Sequence, residues 1–150
     1  MKNERPFIAF NFLVEVAGSN GQPLCNAEFS DCDGLEMTME VKTIREGGRN
    51  TAQVRLAGPQ SFGSLTLKRG MTHSFDLWDW FRETMHDPGL RADAQVVLLA
   101  ADHETVCATF KLSRCIPIKL KAPALNAKDG VIAVEEFQMA YETLELEKPR

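Results

Sequence analysis

Between Ser64 and Phe81 the chain changes period, and no other feature constrains its fold as much. Leu65 and Leu67 alternate with Ser64, Thr66 and Lys68, the period of two expected of a half-buried strand. Gly70 interrupts the alternation. Beyond it the apolar spacing becomes helical: at about 100° per residue, Leu77, Trp78, Phe81 and Met85 share one face. Asp76, Asp79, Glu83 and His86 share the other. The pattern predicts one helix over about residues 74–86. Thr72 or Ser74 is the expected cap, because a hydroxyl can accept a free N–H group of the first turn. Asp87-Pro88-Gly89 is the expected stop, since proline cannot continue the helical ladder. Leu77, Trp78, Phe81 and Met85 would hold the helix to a core. Trp80, at the margin of the stripe, would face a partner with Asp76, Asp79 and Glu83.

The remaining segments read as β. Ile8, Phe10, Phe12, Val14 and Val16 alternate with Ala9, Asn11, Leu13 and Glu15. Residues 35–46 alternate as well, with Leu35, Met37, Met39 and Val41 on one face and Glu36, Thr38, Glu40 and Lys42 on a wet one. Residues 94–101 are an apolar run suited to a strand buried on both faces. Asp102-His103 suits a hairpin turn. Pro117 and Pro123 place their segment at a sheet edge or in an extended connection. Residues 131–146 change phase: Ile132 and Val134 share one parity, and Phe137, Met139 and Tyr141 the other. Bulges near Glu135-Glu136 and Thr143 would account for that. The expected fold is mainly β, an antiparallel two-sheet sandwich or partial barrel of about eight or nine strands with one flanking helix. One domain is expected over residues 1–150, with residues 1–6 and 147–150 as flexible ends.

Charge and chemistry then narrow the function. A net charge of −4 argues against binding nucleic acid through a broadly basic face. No apolar run approaches the roughly 20 residues that span a bilayer. No signal-peptide core follows the first residues, so synthesis in the cytoplasm without secretory export is expected. Cys25, Cys32, Cys107 and Cys115 are widely spaced, form no C-x-x-C, and are expected to be free thiols. With His73, His86 and His103 they lack the ligand spacing of a zinc site. Glu135 and Glu136 are neighbours on one strand and point to opposite faces, so they cannot act as a carboxylate pair. Glu46-Gly47-Gly48 has no following Lys-Ser/Thr and is not a phosphate loop. Asp102-His103-Glu104 is better explained as a polar turn than as acid–base chemistry. No catalytic residue, metal or cofactor is expected. The strong strands, in contrast, have little edge protection apart from prolines, a liability unless a neighbour covers them.

One ordered set of motifs spans nearly the whole chain. Phe10-Asn-Phe-Leu-Val-Glu-Val16 precedes Phe29-Ser-Asp-Cys-Asp-Gly-Leu35 and Glu40-Val-Lys-Thr-Ile-Arg-Glu-Gly-Gly48. Leu65-Thr-Leu-Lys-Arg-Gly70, Leu77-Trp-Asp-Trp80 and Pro117…Pro123-Ala-Leu125 follow, and Ile132-Ala-Val-Glu-Glu-Phe-Gln-Met-Ala140 closes the series. In order and spacing the set resembles the inner tail-tube proteins of contractile phages and of phage-tail-like extracellular injection systems. The resemblance implies a structural, non-enzymatic subunit whose main partner is itself, in homo-hexameric rings stacked into a tube. It also implies sheath, baseplate or spike, and terminator partners. Cargo or DNA would pass through the lumen without sequence-specific binding, and this chain alone would not insert into a membrane. Glu46, Gly47, Gly48, Arg49 and Asn50 would form the inter-ring stacking loop. Glu36, Thr38, Glu40, Lys42, Glu136, Gln138 and Glu142 would face an acid-leaning lumen.

Two other readings compete. A tube initiator, baseplate or cap component would share the fold without stacking along the tube. A monomeric barrel that binds a small apolar ligand would need a hollow interior, against which Phe10, Phe12, Phe110 and Phe137 argue by their bulk.

Overall fold

The computed structural model describes residues 11–19, 21–45, 53–128 and 130–149. Ten strands and one helix form along them. They are β1 (Phe12–Gly18), β2 (Pro23–Ala27), β3 (Asp31–Asp33), β4 (Met37–Arg45), β5 (Gln53–Phe62), β6 (Ser64–Gly70), α1 (Asp76–His86), β7 (Ala92–Leu99), β8 (Val106–Lys121), β9 (Val134–Ala140) and β10 (Thr143–Glu147). The fold is mainly β with a single flanking helix, as the periodicities predict. The strand count exceeds eight or nine because β3 is only three residues long and the closing stretch makes two strands.

Every pairing is antiparallel. The main sheet runs β2-β1-β7-β8-β9-β6-β3, and β10 also pairs with β8. Its end strands β2 and β3 do not pair with each other, so the barrel stays open. The 16-residue β8 is the axis of the fold. Its first half pairs with β7 and β10, and its second half with β9. Between the halves Arg114 adopts a left-handed backbone, φ 52°. The strand bends there and passes from one sheet to the other, the behaviour expected at a sheet corner. Among the described residues Ile116–Lys121 pair with β9 alone, so Pro117 lies at a sheet edge, as its sequence position leads one to expect. It is tolerated because the ladder slips between Pro117 and Lys119.

The core gathers the inward positions of both sheets. Val14 and Val16 of β1, Ala92, Ala94 and Val96 of β7, Leu65 and Leu67 of β6, and Phe137 and Met139 of β9 form one cluster with Leu77 and Trp80 of α1. The β7 run is buried on one face only, because Asp93 is exposed and Gln95 half-buried between the inward residues. The phase change in the closing stretch also has a cause other than a bulge at Glu135-Glu136. The β6–β9 ladder is regular there, and Glu135 itself points inward on the parity of Phe137 and Met139. Ile132 and Val134 are left exposed. The irregularity near Thr143 is real: the chain leaves β9 at Ala140 and pairs again along β8 from Thr143.

Helix α1 begins two residues later than expected and is rotated by about one position. Phe75 is the N-cap, without a side-chain cap hydrogen bond. Thr72 Oγ1 instead accepts the N–H of Ser74, at 3.3 Å. The buried stripe is Leu77, Trp80 and Thr84. Trp80 is 1% exposed against the Phe137 ring, with centroids 5.3 Å apart, whereas Met85 is 66% exposed. The expected roles of Trp80 and Met85 are thus exchanged. Bulk decides it: Trp80 fills the space over Phe137, where burying a large apolar side chain contributes about 1.5–3 kcal/mol.

Candidate assembly surfaces

An ionic cluster holds α1 to the sheet. Arg69 stands at an inward position of β6, directly opposite Glu135 of β9. Its Nε donates to Glu135 Oε1 at 2.6 Å, and another guanidinium N–H donates to Asp76 Oδ1 in the first turn of α1. A further N–H reaches the Ser74 carbonyl at 3.4 Å, and the guanidinium carbon lies 5.2 Å from the Phe29 ring centre. Trp78 Nε1 donates to the second oxygen of Glu135 at 3.0 Å. The planar guanidinium supplies several donors in one plane while its face meets an aromatic ring, a combination that lysine cannot reproduce. Burial opposes its charge, but the bonds to Asp76 and Glu135 outweigh that and raise the Arg69 pKa. Asp76 is consequently turned inward and is no partner-facing residue. Asp79 and Glu83 remain exposed, and Asp79 pairs with Arg82 at 3.3 Å.

A hairpin arm is the second feature. Among the described residues, strands β4 and β5 pair only with each other, outside the main sheet. Leu35 is half-buried at its start, but the rest of the expected core face of β4 is not covered: Met37 is 69% exposed, and Met39 and Val41 are exposed too. The alternation was legible; what it could not reveal is that no other layer among the described residues packs on it. Opposed residues of an antiparallel pair share a face. Near the root Met37 opposes Phe62 and Val41 opposes Ala57. Farther out Ile44 opposes Val54 and Lys42 opposes Leu56, on the other face. The apolar side of the arm therefore switches midway.

The root of the arm is built with little freedom. Gly34 has φ +105°, and a Cβ there would lie 1.9 Å from the Ser64 carbonyl oxygen. Tyr141 Oη donates to the Gly34 carbonyl at 2.6 Å and accepts the Glu36 N–H at 3.2 Å. The Tyr141 and Phe62 ring centres lie 6.0 Å apart, so one aromatic residue grips both strands of the arm.

The expected lumen residues fall on separate elements. Thr38, Glu40 and Lys42 are exposed on the arm, and Glu36 is exposed at its root. Glu136 and Gln138 lie on the outward face of β9, where Glu136 stands between Lys68 of β6 and Lys121 of β8. Glu142 pairs with Arg114 at 2.8 Å. Residues 46–50, the expected stacking loop, lie outside the described residues. Sequence reasoning missed Arg69, Glu135, Tyr141 and Gly34. A usable signal was present: Arg69 continues the parity of Leu65 and Leu67, and Glu135 that of Phe137 and Met139.

The polar groups elsewhere have structural roles. Asp102 accepts the N–H groups of Glu104 and Thr105, each at 2.9 Å, and the Thr105 hydroxyl at 2.6 Å. Those bonds, the hydroxyl first, hold its carboxyl down to about 2. This is turn chemistry and leaves His103 outside any catalytic pair. The cysteines are free thiols, and burial pushes Cys25, Cys32 and Cys115 up to about 12. Among the described residues no group of three His, Cys, Asp or Glu could hold a metal ion. No described helix is long and apolar enough to cross a membrane.

An open antiparallel sheet with a helix clamped to it, and an arm that pairs with no other strand among the described residues, make up the architecture of a structural protein of the tail-tube class. Residues 8–145 match the family of the T4-like virus tail tube protein gp19, and the chain belongs to that family. The family is structural and not enzymatic. A chain from the baseplate of the anti-feeding prophage is similar to it, at 25% identity and a TM-score of 0.83, over 97% of this chain and 98% of that one. A chain of the sheath–tube complex of the PVC extracellular contractile injection system has 20% identity and a TM-score of 0.82, over 97% and 93%. A chain of the tube-terminating cap of the anti-feeding prophage has 17% identity and a TM-score of 0.83, over 99% and 95%. No curated protein is similar to the chain in sequence.

Proposed function

We propose that this chain is the repeating subunit of the inner tube of a contractile injection system or phage tail. It assembles into rings of six that stack into a rigid tube, and sheath contraction drives that tube through a target envelope. The observation that carries this reading is the arm: apolar on alternate faces, and paired with no other strand among the described residues. An exposed apolar surface of this kind marks an interaction site, which in the tube other copies cover. The open sheet ends β2 and β3 support the same reading, since joining sheets between copies removes edges. Thr38 and Glu40 are the candidate lumen groups on the arm, giving a polar wall past which cargo or DNA moves without sequence-specific contact. Asp79 and Glu83 on the outer face of α1 are the candidate contacts to the sheath. The chain is made in the cytoplasm and incorporated into the particle.

A second reading has a specific observation in its favour. The chain is as similar in fold to a baseplate and a cap component as to a tube component. As an initiator or cap it would form single rings that do not extend. Electron microscopy of the purified protein separates the two. Stacked six-fold rings are expected; isolated rings would favour the initiator or cap, and monomers alone at high concentration would overturn both.

A further inference from the structure

The arm joins the body of the fold through a narrow waist. A glycine stands at each crossing: Gly34 before β4, and Gly63 between β5 and β6. The two crossings pack on one another. A Cβ on Gly34 would lie 1.9 Å from the Ser64 carbonyl oxygen, and one on Gly63 would lie 2.7 Å from Glu36 Cγ. The Gly63 N–H donates to the Glu36 carbonyl at 3.3 Å, which closes the waist on itself. Beyond it β4 and β5 pair with no other strand among the described residues. The angle between arm and body is therefore set at the waist.

One side chain of the body reaches across that waist. Tyr141 follows β9 directly, and its neighbours are fixed in the body: Ala140 pairs with Ser64, and the Glu142 N–H donates to the Ser113 carbonyl at 2.9 Å. The Tyr141 ring is 6% exposed and leans on Phe62. Its hydroxyl ends between the peptide groups that enter the arm, donating to the Gly34 carbonyl and accepting the Glu36 N–H. Both partners are backbone, so the hydroxyl fixes the direction in which the chain enters β4. Phenylalanine would fill nearly the same volume and keep the ring packing, but it could make neither bond. Packing and direction are thus divided between two parts of one side chain.

We infer that the Tyr141 hydroxyl is a positioning group: it holds the arm at one angle to the body in the free subunit, before any other copy is met. The inference rests on the tube reading and adds to it a residue that governs how fast the subunit assembles. A pose that is populated only part of the time lowers apparent affinity by that fraction. Hydrogen bonds of ordinary net worth bias such an equilibrium by roughly 5- to 30-fold. Without them the arm turns about its two glycines, since residues at the ends of elements absorb rotations of this kind. The ring then still fills its place in the core, and the fold persists while the arm loses its direction.

Tyr141→Phe tests the inference. Spin labels on unnatural ketone side chains at Thr43 and Asp79 leave the cysteines untouched and report the distance between arm and α1 in the dilute, unassembled subunit. Wild type is expected to give one narrow distance distribution and Y141F a broadened one. By light scattering, unlabelled Y141F should assemble roughly fivefold or more slowly than wild type at equal concentration. Val16→Ala, at a buried position of β1, controls for lost stability alone and should keep the narrow distribution. A narrow distribution in Y141F, an assembly rate equal to that of wild type, or equal broadening in V16A would overturn the positioning role and leave the tube reading intact. Wild-type protein that forms no ring or tube would reject the tube reading itself, while the distances still decide the role of Tyr141. If Y141F does not fold, wild type labelled with 13C at tyrosine Cζ reads the contact directly, because Tyr141 is the only tyrosine of the chain. One resonance is expected in the unassembled subunit, and two of comparable intensity would overturn the inference.

Discussion

Arg69 and Glu135 face each other across the β6–β9 ladder, both buried, with Nε 2.6 Å from Oε1. They form one half of a clamp whose other half, Asp76, belongs to α1. Removing one member strands a buried charge, which costs about 3–5 kcal/mol, whereas replacing both charges by apolar groups costs far less. Urea unfolding of Glu135→Ala should show a loss of that size, and Arg69→Met/Glu135→Leu should recover much of it. Equal midpoints for Glu135→Ala and wild type would disprove the clamp.

The rotation of α1 is checked by two substitutions five residues apart. Trp80→Ala should cost about 3–5 kcal/mol, because it opens a void over Phe137. Met85→Ala, on the exposed face, should stay within about 0.5 kcal/mol. Trp80→Phe should be much milder than Trp80→Ala, because the buried Nε1–H has no hydrogen-bond partner among the described residues to lose. Thermal unfolding of the three variants measures this, and a Met85→Ala cost as large as that of Trp80→Ala would reverse the orientation.

Gly34→Ala should damage the arm root more than Gly21→Ala damages its turn. Both glycines have positive φ, and a side chain there costs roughly 1–3 kcal/mol in backbone strain alone. Only Gly34 adds a collision with the backbone of Ser64. Hydrogen exchange of the β4 and β5 amides should accelerate in Gly34→Ala and remain unchanged in Gly21→Ala.

Buried thiols make the fold sensitive to alkali. Cys25 and Cys115 rise from an ordinary value of 9.0 to about 12, chiefly by burial. The neutral thiol is favoured in the folded state, so stability is full below pH 9 and falls as the pH climbs toward 12. The slope is about 1.4 kcal/mol per pH unit for each such thiol. Thermal midpoints measured between pH 8 and 11 should fall, and Cys115→Ala should flatten the fall. An unchanged slope in that variant would remove Cys115 from the account.

Much of the fold was legible because alternation and helical spacing are local. Leu65 and Leu67, Val14 and Val16, and Phe137 and Met139 all point inward as their parity predicts. The failures occur where tertiary context decides. Trp80 and Met85 exchange roles because the helix is oriented by Arg69 and Phe137, which lie far from it in sequence. Alternation in β4 shows which residues share a face; whether this chain or another covers that face is not encoded in the period. Glu135 disturbed the apparent phase of its strand because a buried carboxylate reads as a polar, outward position until its arginine is placed.

The shared strand β8 has a mechanical consequence. Because its 16 residues serve both sheets, a force on one sheet reaches the other through covalent backbone and not across a separable seam. Pulling the sheets apart would require shearing several ladder hydrogen bonds together along β8. A subunit built this way fails by collective shear and not by unzipping one bond at a time, which is the property a tube pushed by sheath contraction, as proposed above, would need.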